Sequence, residues 1–135
     1  MAARAICIVG LPGSGKTTLA KKMVAEDSSL LLFDDLTFMT YPSVIAAIEE
    51  GKSCIIVDVN FCNEEDRREA EHTLQNKGAQ VKWIFFENAP DKCLSNVRGR
   101  QVAGDVREVG GSIDRFKGIY VVPKGVRALE VTTKS

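Results

Sequence analysis

The stretch 10-GLPGSGKTT-18 directly follows the apolar run 5-AICIV-9 in this chain of 135 residues. A strand, a glycine-rich turn and a helix in this order can wrap a phosphate group with inward-pointing backbone N–H groups. The glycines permit the positive φ angles and the close approach that such a loop needs. The helix that follows adds the partial positive charge of its N-terminus. The stretch therefore predicts a phosphate-binding loop, in preference to an ordinary glycine-rich turn.

The spacing GxxxxGK[ST] also assigns roles within this loop. We expect Lys16 to neutralise the β- and γ-phosphates of a nucleoside triphosphate, and the Thr17 hydroxyl to ligate Mg²⁺. The predicted cofactors are therefore ATP and Mg²⁺. The residues of the loop that we expect to contact the nucleotide are Gly10, Leu11, Pro12, Gly13, Ser14, Gly15, Lys16, Thr17 and Thr18.

Runs that are apolar throughout alternate with helical patterns along the chain. The predicted strands are 5–9, 30–33, 54–57, 81–86 and 120–122, with a further extended segment at 129–131. The predicted helices are 16–25, 42–51, 64–76, 90–97 and 112–117. Fully apolar strands separated by helices indicate a parallel sheet that is covered on both faces. We therefore predict one α/β domain over 1–135, with the three-layer P-loop NTPase fold and a parallel five-stranded sheet between helices.

Composition places the chain among ordinary globular proteins, with 44% hydrophobic and 27% charged residues. No apolar stretch approaches the roughly 20 residues that cross a bilayer, and no secretory signal is visible. We expect a cytoplasmic protein without a membrane partner. The cysteines show no CxxC spacing and are expected to be reduced core residues; they are Cys7, Cys54, Cys62 and Cys93.

The net charge of zero conceals an asymmetry between the two ends of the chain. Residues 1–90 carry 9 Lys and Arg against 13 Asp and Glu, whereas residues 91–135 carry 9 against 5. A basic C-terminal third fits a segment that closes over a polyphosphate. We predict a lid at about 96–112, in which Arg100 and, as second choice, Arg98 bind the nucleotide and stabilise charge during transfer. The alternative interpretation of these arginines is a solvated helix end.

Acidic residues stand at the ends of two predicted strands. Asp34 and Asp35 end the second strand, and Asp58 ends the third. Because the carboxyl ends of parallel strands face the ligand crevice, we expect these side chains beside the phosphate loop. Asp34 is the predicted general base that accepts the proton of an acceptor hydroxyl, with Asp35 as second choice. Asp58 is predicted to hold Mg²⁺ or to bind the acceptor, the alternative being a simple strand-end cap.

Several segments together resemble the P-loop kinases that phosphorylate 5′-hydroxyl ends of nucleic acids, the polynucleotide kinases, and the related seryl-tRNA kinase type. The segments are 10-GLPGSGKTT-18, 33-FDD-35, 55-IIVDVNFCNEEDRR-68 and 84-IFFENAPDKCLSNVRGR-100. In such kinases a strand ending in Asp, an Asn two residues later and an Arg-Arg pair in the next helix recur. The corresponding residues here are Asp58, Asn60, Arg67 and Arg68.

The resemblance implies roles for particular residues. Lys16 and Thr17 would bind ATP and Mg²⁺, and Arg100 would be the lid arginine. The acceptor would be contacted by Asp34, Asp35, Asp58 and Asn60. The chain departs from the family after the acidic pair, where 36-LTFM-39 stands in place of an arginine for the acceptor's phosphate.

The leading hypothesis is an ATP-dependent kinase that transfers the γ-phosphoryl group to a hydroxyl acceptor. A 5′-hydroxyl of a nucleoside or of a nucleic acid end is the acceptor class that we consider first. The alternatives are a P-loop NTPase switch or regulatory module without an acceptor, and a nucleotide-binding protein that acts by assembly alone. The sequence leaves open whether copies of the chain form a homo-oligomer.

Overall fold

The computed structural model describes residues 3–34, 41–98 and 113–132. Its strands are β1 (Arg4–Val9), β2 (Leu31–Asp34), β3 (Cys54–Val57) and β4 (Gln80–Phe85). Its helices are α1 (Lys16–Glu26), α2 (Tyr41–Glu49), α3 (Glu64–Asn76) and α4 (Pro90–Arg98), with a short 3-10 helix at Val59–Cys62. The first four strands and the first four helices predicted from the sequence are therefore confirmed, and a helical turn at 113–116 lies within the predicted helix 112–117.

The strands form one parallel sheet in the order β2-β3-β1-β4. Val57 is level with Ile8 on one side and with Asp34 on the other, and Val9 is level with Phe85. The carboxyl ends of all four strands therefore meet at one edge of the sheet. The phosphate loop leaves β1 at this same edge.

A crevice opens at this edge because the chain winds outward from β1 in two opposite directions. The chain runs from β1 past β3 to β2, and later from β3 past β1 to β4. Right-handed crossovers in opposite directions put α1 on one face of the sheet and both α2 and α3 on the other. Ligands of such sheets bind where the direction of winding reverses, at the carboxyl ends of the strands.

The core lies on both faces of the central strands. Ile8, Ile55 and Ile56 are fully buried, as are Ala20 of α1 and Leu74 of α3. Burial on both faces explains why β1 and β3 are apolar at nearly every position instead of alternating with polar residues.

The fifth strand predicted at 120–122 is wrong. These residues pair with no strand in the part of the chain that the structure describes, and Val121 is 69% exposed. The place beside the end of β4 is taken instead by Leu129, which forms a parallel bridge with Phe86. The Leu129 N–H donates to the Phe85 carbonyl at 2.8 Å, and its carbonyl accepts from Glu87 N at 2.9 Å. The extended segment predicted at 129–131 is thus the one that reaches the sheet.

The cysteines are free and buried, as predicted. Burial raises the pKa of the Cys54, Cys62 and Cys93 thiols to about 11, so they stay protonated at neutral pH. A protonated, buried thiol is a poor nucleophile and a poor metal ligand. These residues therefore act as small core side chains.

His72 of α3 and Trp83 of β4 both have polar partners. His72 is exposed, and its Nε2 is 3.1 Å from Asn76 Nδ2. Trp83 is only half-buried, and its Nε1–H donates to Glu71 Oε1 at 3.0 Å. Within the described ranges, no helix is long and apolar enough to cross a bilayer.

Candidate active site

The phosphate loop is shaped by glycines that no other residue could replace without strain. Gly13 and Gly15 have φ angles of 85° and 107°, in the left-handed region. A Cβ atom added to Gly13 would lie 2.4 Å from the Cys93 carbonyl oxygen of α4, and one added to Gly10 would lie 2.5 Å from Ser14 Oγ. The loop is therefore packed closely against its surroundings, and its peptide groups form its surface. This is the cradle expected around a phosphate.

Lys16 lies back across the loop that precedes it. Its Nζ donates to the Gly10 carbonyl at 2.6 Å and to the Leu11 carbonyl at 3.0 Å, and the residue is 8% exposed. A buried ammonium needs such partners, because an unsatisfied charge in this position would cost several kcal/mol. The bonds keep a positive charge at the mouth of the loop, where a phosphate would be bound.

Thr17 and Asp34 are brought together at the edge of the sheet. The Thr17 hydroxyl donates to Asp34 Oδ2 at 2.7 Å. Thr17 stands at the second position of α1, and Asp34 is the last residue of β2. The sequence-based expectation that Asp34 lies beside the loop is supported by this contact.

Asp58 follows β3 and caps the 3-10 helix. Its Oδ1 accepts from Asn60 N at 2.9 Å, as the capping interpretation requires. Burial raises the pKa of the Asp58 carboxyl, while the bonds from Asn60 and the nearby Lys16 charge act in the opposite direction. Asp58 is thus a partly buried carboxylate within electrostatic range of the loop lysine.

Asp58 also lines a groove between the 3-10 helix and α3. Its volume is about 470 Å³. It is lined by Asp58, Asn60, Phe61, Asp66, Glu69, Ala70 and Thr73. Three of these side chains are carboxylates and none is basic. Asp58 and Asn60, both expected to contact an acceptor, lie at this groove.

The two arginines of α3 lie elsewhere. Arg67 is buried, donates from Nη1 to the Phe61 carbonyl at 2.7 Å and stands over the Phe85 ring at 5.3 Å. Arg68 is exposed and pairs with Glu64 at 2.8 Å, one helical turn away. Both line a separate depression beside Trp83. The Arg-Arg pattern therefore corresponds to one structural and one surface arginine in this chain.

The structure describes the remaining predicted site residues only in part. Pro12 and Gly15 are half-buried in the loop, and Thr18 is exposed in the first turn of α1. Arg98 ends α4, but its side chain lies outside what the structure describes. Asp35, Arg100 and nearly all of the predicted lid at 96–112 also lie outside the described residues.

One contact of the loop was not predicted from the sequence. Asn96 of α4 donates from Nδ2 to the Gly13 carbonyl at 2.9 Å. The residue belongs to the stretch 96-NVRGR-100, in which only the arginines carry an obvious chemical signal. An asparagine within a helix has no sequence signature that distinguishes this role from a solvent-exposed one.

The oxygen atoms at the sheet edge suit a magnesium ion. Mg²⁺ is usually bound through one or two protein oxygens together with phosphate and water, not by an all-protein cage. Among the described residues, no group of three or more His, Cys, Asp or Glu side chains is arranged to hold a metal. Thr17 and Asp58, the predicted ligands, provide a hydroxyl and a carboxylate oxygen of the kind that Mg²⁺ prefers. The donor set therefore fits a magnesium ion shared with a nucleotide.

Sequence comparisons relate the chain to two proteins. It is 33% identical over 98 residues to the uncharacterized protein R277 of Acanthamoeba polyphaga mimivirus, covering 70% of this chain and 71% of that protein. It is 29% identical over 126 residues to a protein of Syntrophotalea carbinolica that is named a nucleotide-binding protein, covering 87% of this chain. The chain spans only 43% of the length of that second protein. No protein-family model matches the chain.

Structure comparisons find solved structures with a similar fold, two of them kinases. The Pnkp1/Rnl/Hen1 RNA repair complex matches with a TM-score of 0.60 and 16% identity, over 94% of this chain and 50% of the matched chain. A gluconokinase from Sinorhizobium meliloti 1021 matches with a TM-score of 0.59 and 15% identity, over 97% and 84%. A fungal RNA kinase matches with a TM-score of 0.59 and 17% identity, over 90% and 67%.

These likenesses show a fold that the gluconokinase and the fungal RNA kinase share. By sequence, the chain belongs to the family of the mimivirus protein R277.

Proposed function

We propose that this protein is an ATP-dependent kinase that transfers the γ-phosphoryl group to a hydroxyl acceptor. The observation that carries the proposal is the contact of Asp34 with Thr17, next to a glycine loop with a buried lysine. A carboxylate beside the phosphate loop can accept the proton that an attacking hydroxyl loses. The gluconokinase and the fungal RNA kinase share the fold and thereby support this choice.

The donor side of the site is formed by the loop and the lid. Backbone N–H groups at the end of the loop and in the first turn of α1, together with the Lys16 ammonium, would bind the phosphates, and Arg98 and Arg100 would approach from the lid. Thr17 and Asp58 would hold Mg²⁺, which neutralises phosphate charge when it is bound.

The transfer step itself needs one base. Asp34, with Asp35 as second choice, would accept the proton of the acceptor hydroxyl. The acceptor oxygen forms a bond to the γ-phosphorus as the bond from that phosphorus to the β–γ bridging oxygen breaks, and ADP leaves with the electron pair. Asp34 would then release its proton to solvent. Lys16 would stay close to the transferred group and offset its charge.

The groove beside Asp58 favours an uncharged acceptor. A polynucleotide end brings further phosphates, which the carboxylates of Asp58, Asp66 and Glu69 would repel. A nucleoside or another neutral polyol would instead find hydrogen-bond acceptors there. The 5′-hydroxyl of a nucleoside is therefore the acceptor that we favour, and the 5′ end of an oligonucleotide is the competing outcome of the test.

The proposal is tested by incubating the protein with Mg²⁺ and ATP labelled on the γ-phosphate, in the presence of nucleosides, 5′-hydroxyl oligonucleotides of RNA and DNA, tRNA or small polyols. We expect label in a neutral hydroxyl compound. Release of labelled inorganic phosphate that no acceptor stimulates would support the NTPase alternative instead. The absence of both products, together with no ATP binding in calorimetry, would contradict any catalytic role.

The preference for neutral acceptors can be tested on the groove itself. The double variant Asp66→Asn/Glu69→Gln removes two charges from α3, both on exposed side chains. It should raise kcat/KM for an oligonucleotide relative to a nucleoside about two- to fivefold, the size of surface charge effects. Glu65→Gln, on the same helix but outside the groove, should leave the ratio unchanged.

A further inference from the structure

The side chain of Asn96 connects the phosphate loop to the C-terminal segment. Its Nδ2 donates to the Gly13 carbonyl at 2.9 Å and to the Thr132 carbonyl at 2.8 Å. The amide nitrogen has two hydrogens, so one goes to each carbonyl. Residues separated by more than 80 positions in the chain meet at this one side chain.

The peptide that follows Gly13 is fixed from both sides. Its carbonyl accepts from Asn96, and its N–H, that of Ser14, donates to the Leu11 carbonyl at 3.1 Å. Because the peptide group is planar, bonds at both ends set the direction of the whole unit. Gly13 itself has a positive φ and lies so close to α4 that a Cβ would meet the Cys93 carbonyl and Val97 Cγ2, at 2.4 and 3.0 Å.

The other partner of Asn96 is held in place as well. Leu129 is bonded at both its N–H and its carbonyl to the backbone at the end of β4. Val131 is 1% exposed, and its N–H donates to Glu87 Oε1 at 3.2 Å. The Thr132 carbonyl is therefore the end of an anchored segment, and Asn96 connects two fixed points of backbone.

We propose that Asn96 is a positioning residue for the phosphate loop, which it holds in its phosphate-binding shape by fixing the Gly13–Ser14 peptide against α4 and the C-terminal segment. Asn96 acts through the loop backbone and needs no contact with the nucleotide. The inference rests on the proposed binding of nucleotide by the loop, but not on the identity of an acceptor. The loop thereby gains a fixed geometry before ligand arrives, which reduces the ordering cost of binding.

The chemistry of the side chain explains why an amide suits this position. Two carbonyl oxygens converge on one nitrogen, which calls for two N–H donors from a short side chain. An aspartate would be nearly identical in shape but would set a carboxylate oxygen against both carbonyls. Asn96→Asp should therefore disturb the loop more than Asn96→Ala, and this order distinguishes lost donors from lost volume.

The chain contains a matched control for this contact. Asn88 also donates from Nδ2 to two carbonyls, those of Lys117 at 2.9 Å and of Tyr120 at 3.0 Å. It too connects the end of the sheet to the C-terminal part of the chain, but it does not contact the loop. Asn88→Ala therefore measures the general cost of losing such a bridge.

The test combines hydrogen exchange and calorimetry on wild type, Asn96→Ala, Asn96→Asp and Asn88→Ala. Without nucleotide, backbone exchange in a peptide covering 10–19 should be about tenfold faster in Asn96→Ala than in Asn88→Ala. ATP with Mg²⁺ should bind about five- to tenfold more weakly to Asn96→Ala, and with near wild-type affinity to Asn88→Ala.

Equal exchange in the loop of Asn96→Ala and Asn88→Ala would overturn the proposal, as would equal ATP affinities. A wild-type protein that binds no ATP would contradict the proposed function. The exchange measurement, made without nucleotide, would still decide whether Asn96 orders the loop, so the two failures are distinguishable.

Discussion

The Thr17 hydroxyl donates a hydrogen bond of 2.7 Å to Asp34 Oδ2. This bond joins the first turn of the helix after the phosphate loop to the last residue of β2, an edge strand of the sheet. A residue expected to ligate Mg²⁺ and a residue expected to accept a proton are thus neighbours. The role of each can be tested separately.

Thr17→Val removes the hydroxyl and keeps the shape of the side chain. In the wild type, Mg²⁺ should increase the affinity for ATP. We expect the ratio of ATP affinities with and without Mg²⁺ to be smaller by about tenfold or more in this variant. Thr17→Ser, which keeps the hydroxyl, should retain most of the gain. Calorimetric titrations of ATP with and without Mg²⁺ measure the effect. An unchanged magnesium dependence in Thr17→Val would remove Thr17 from the metal site.

Gly13→Ala should destabilise the protein more than Gly51→Ala. Both glycines have a positive φ, 85° and 81°, so each substitution carries the cost of a left-handed alanine, about 1–2 kcal/mol. A Cβ at Gly51 meets nothing within 4 Å, whereas one at Gly13 overlaps the Cys93 carbonyl. The additional loss at Gly13 should be about 1–3 kcal/mol in urea unfolding followed by circular dichroism. Equal losses would mean that α4 does not press on the loop.

Substitutions of Arg67 and Arg68 should differ in their effect on the stability of the protein and not in their effect on catalysis. Arg67→Ala removes a buried charged hydrogen bond to the Phe61 carbonyl and should lower the free energy of unfolding by about 2–3 kcal/mol. Arg68→Ala removes an exposed ion pair and should change it by less than about 0.5 kcal/mol. Denaturant unfolding measures both. A stable Arg67→Ala variant with impaired phosphoryl transfer would instead place Arg67 in the site.

The buried carboxyl of Asp58 should leave a signature in the pH dependence of stability. Its folded-state pKa is raised, mainly by burial, above the ordinary value of 3.8. The folded state therefore binds the proton more tightly, so the contribution of Asp58 to stability is present at low pH and is lost as pH rises from 3.8 through the folded-state pKa.

Asp58→Asn does not titrate, so its stability relative to the wild type should increase across the same window. Urea unfolding at a series of pH values from about 4 to 8, without nucleotide or metal, measures this difference. A difference that is constant, or that decreases with rising pH, would contradict the raised pKa. Asp27→Asn is the control, because hydrogen bonds from Ser29 lower the pKa of Asp27 and place its titration below 3.8. Its stability relative to the wild type should therefore not increase within this pH series.

The sequence was sufficient to predict the four strands, because each contains an apolar run. In β1 and β3 this run is buried on both faces, whereas the edge strands β2 and β4 are only partly buried. It was insufficient at 120–122, which is equally apolar. There Tyr120 is buried and its hydroxyl bonds to the Phe86 carbonyl, while Leu129 takes the place beside β4. Two apolar segments could pair with the edge beside β4. Tertiary contacts decide between them, and no local sequence pattern contains this information.

The candidate site also contains residues that the sequence predicts and residues that it does not. Lys16, Thr17 and Asp34 were predictable because motif spacing and strand ends place them at one edge. Arg67 carries a signal that could have identified its structural role, since Arg67, Ala70 and Leu74 share one buried face of α3 at helical spacing. Asn96 carries none, because its partners are two backbone carbonyls far apart in the chain.

The rate of label transfer from γ-labelled ATP to an active acceptor, compared between wild type and Asp34→Asn, tests the kinase proposal most directly. The variant keeps an oxygen that can accept from Thr17, but loses the base. Transfer should fall about 100-fold or more, while ATP affinity stays near that of the wild type. Asp27→Asn, a carboxylate remote from the loop, should transfer at the wild-type rate. Near-normal transfer by Asp34→Asn to every active acceptor would contradict the proposed role of Asp34.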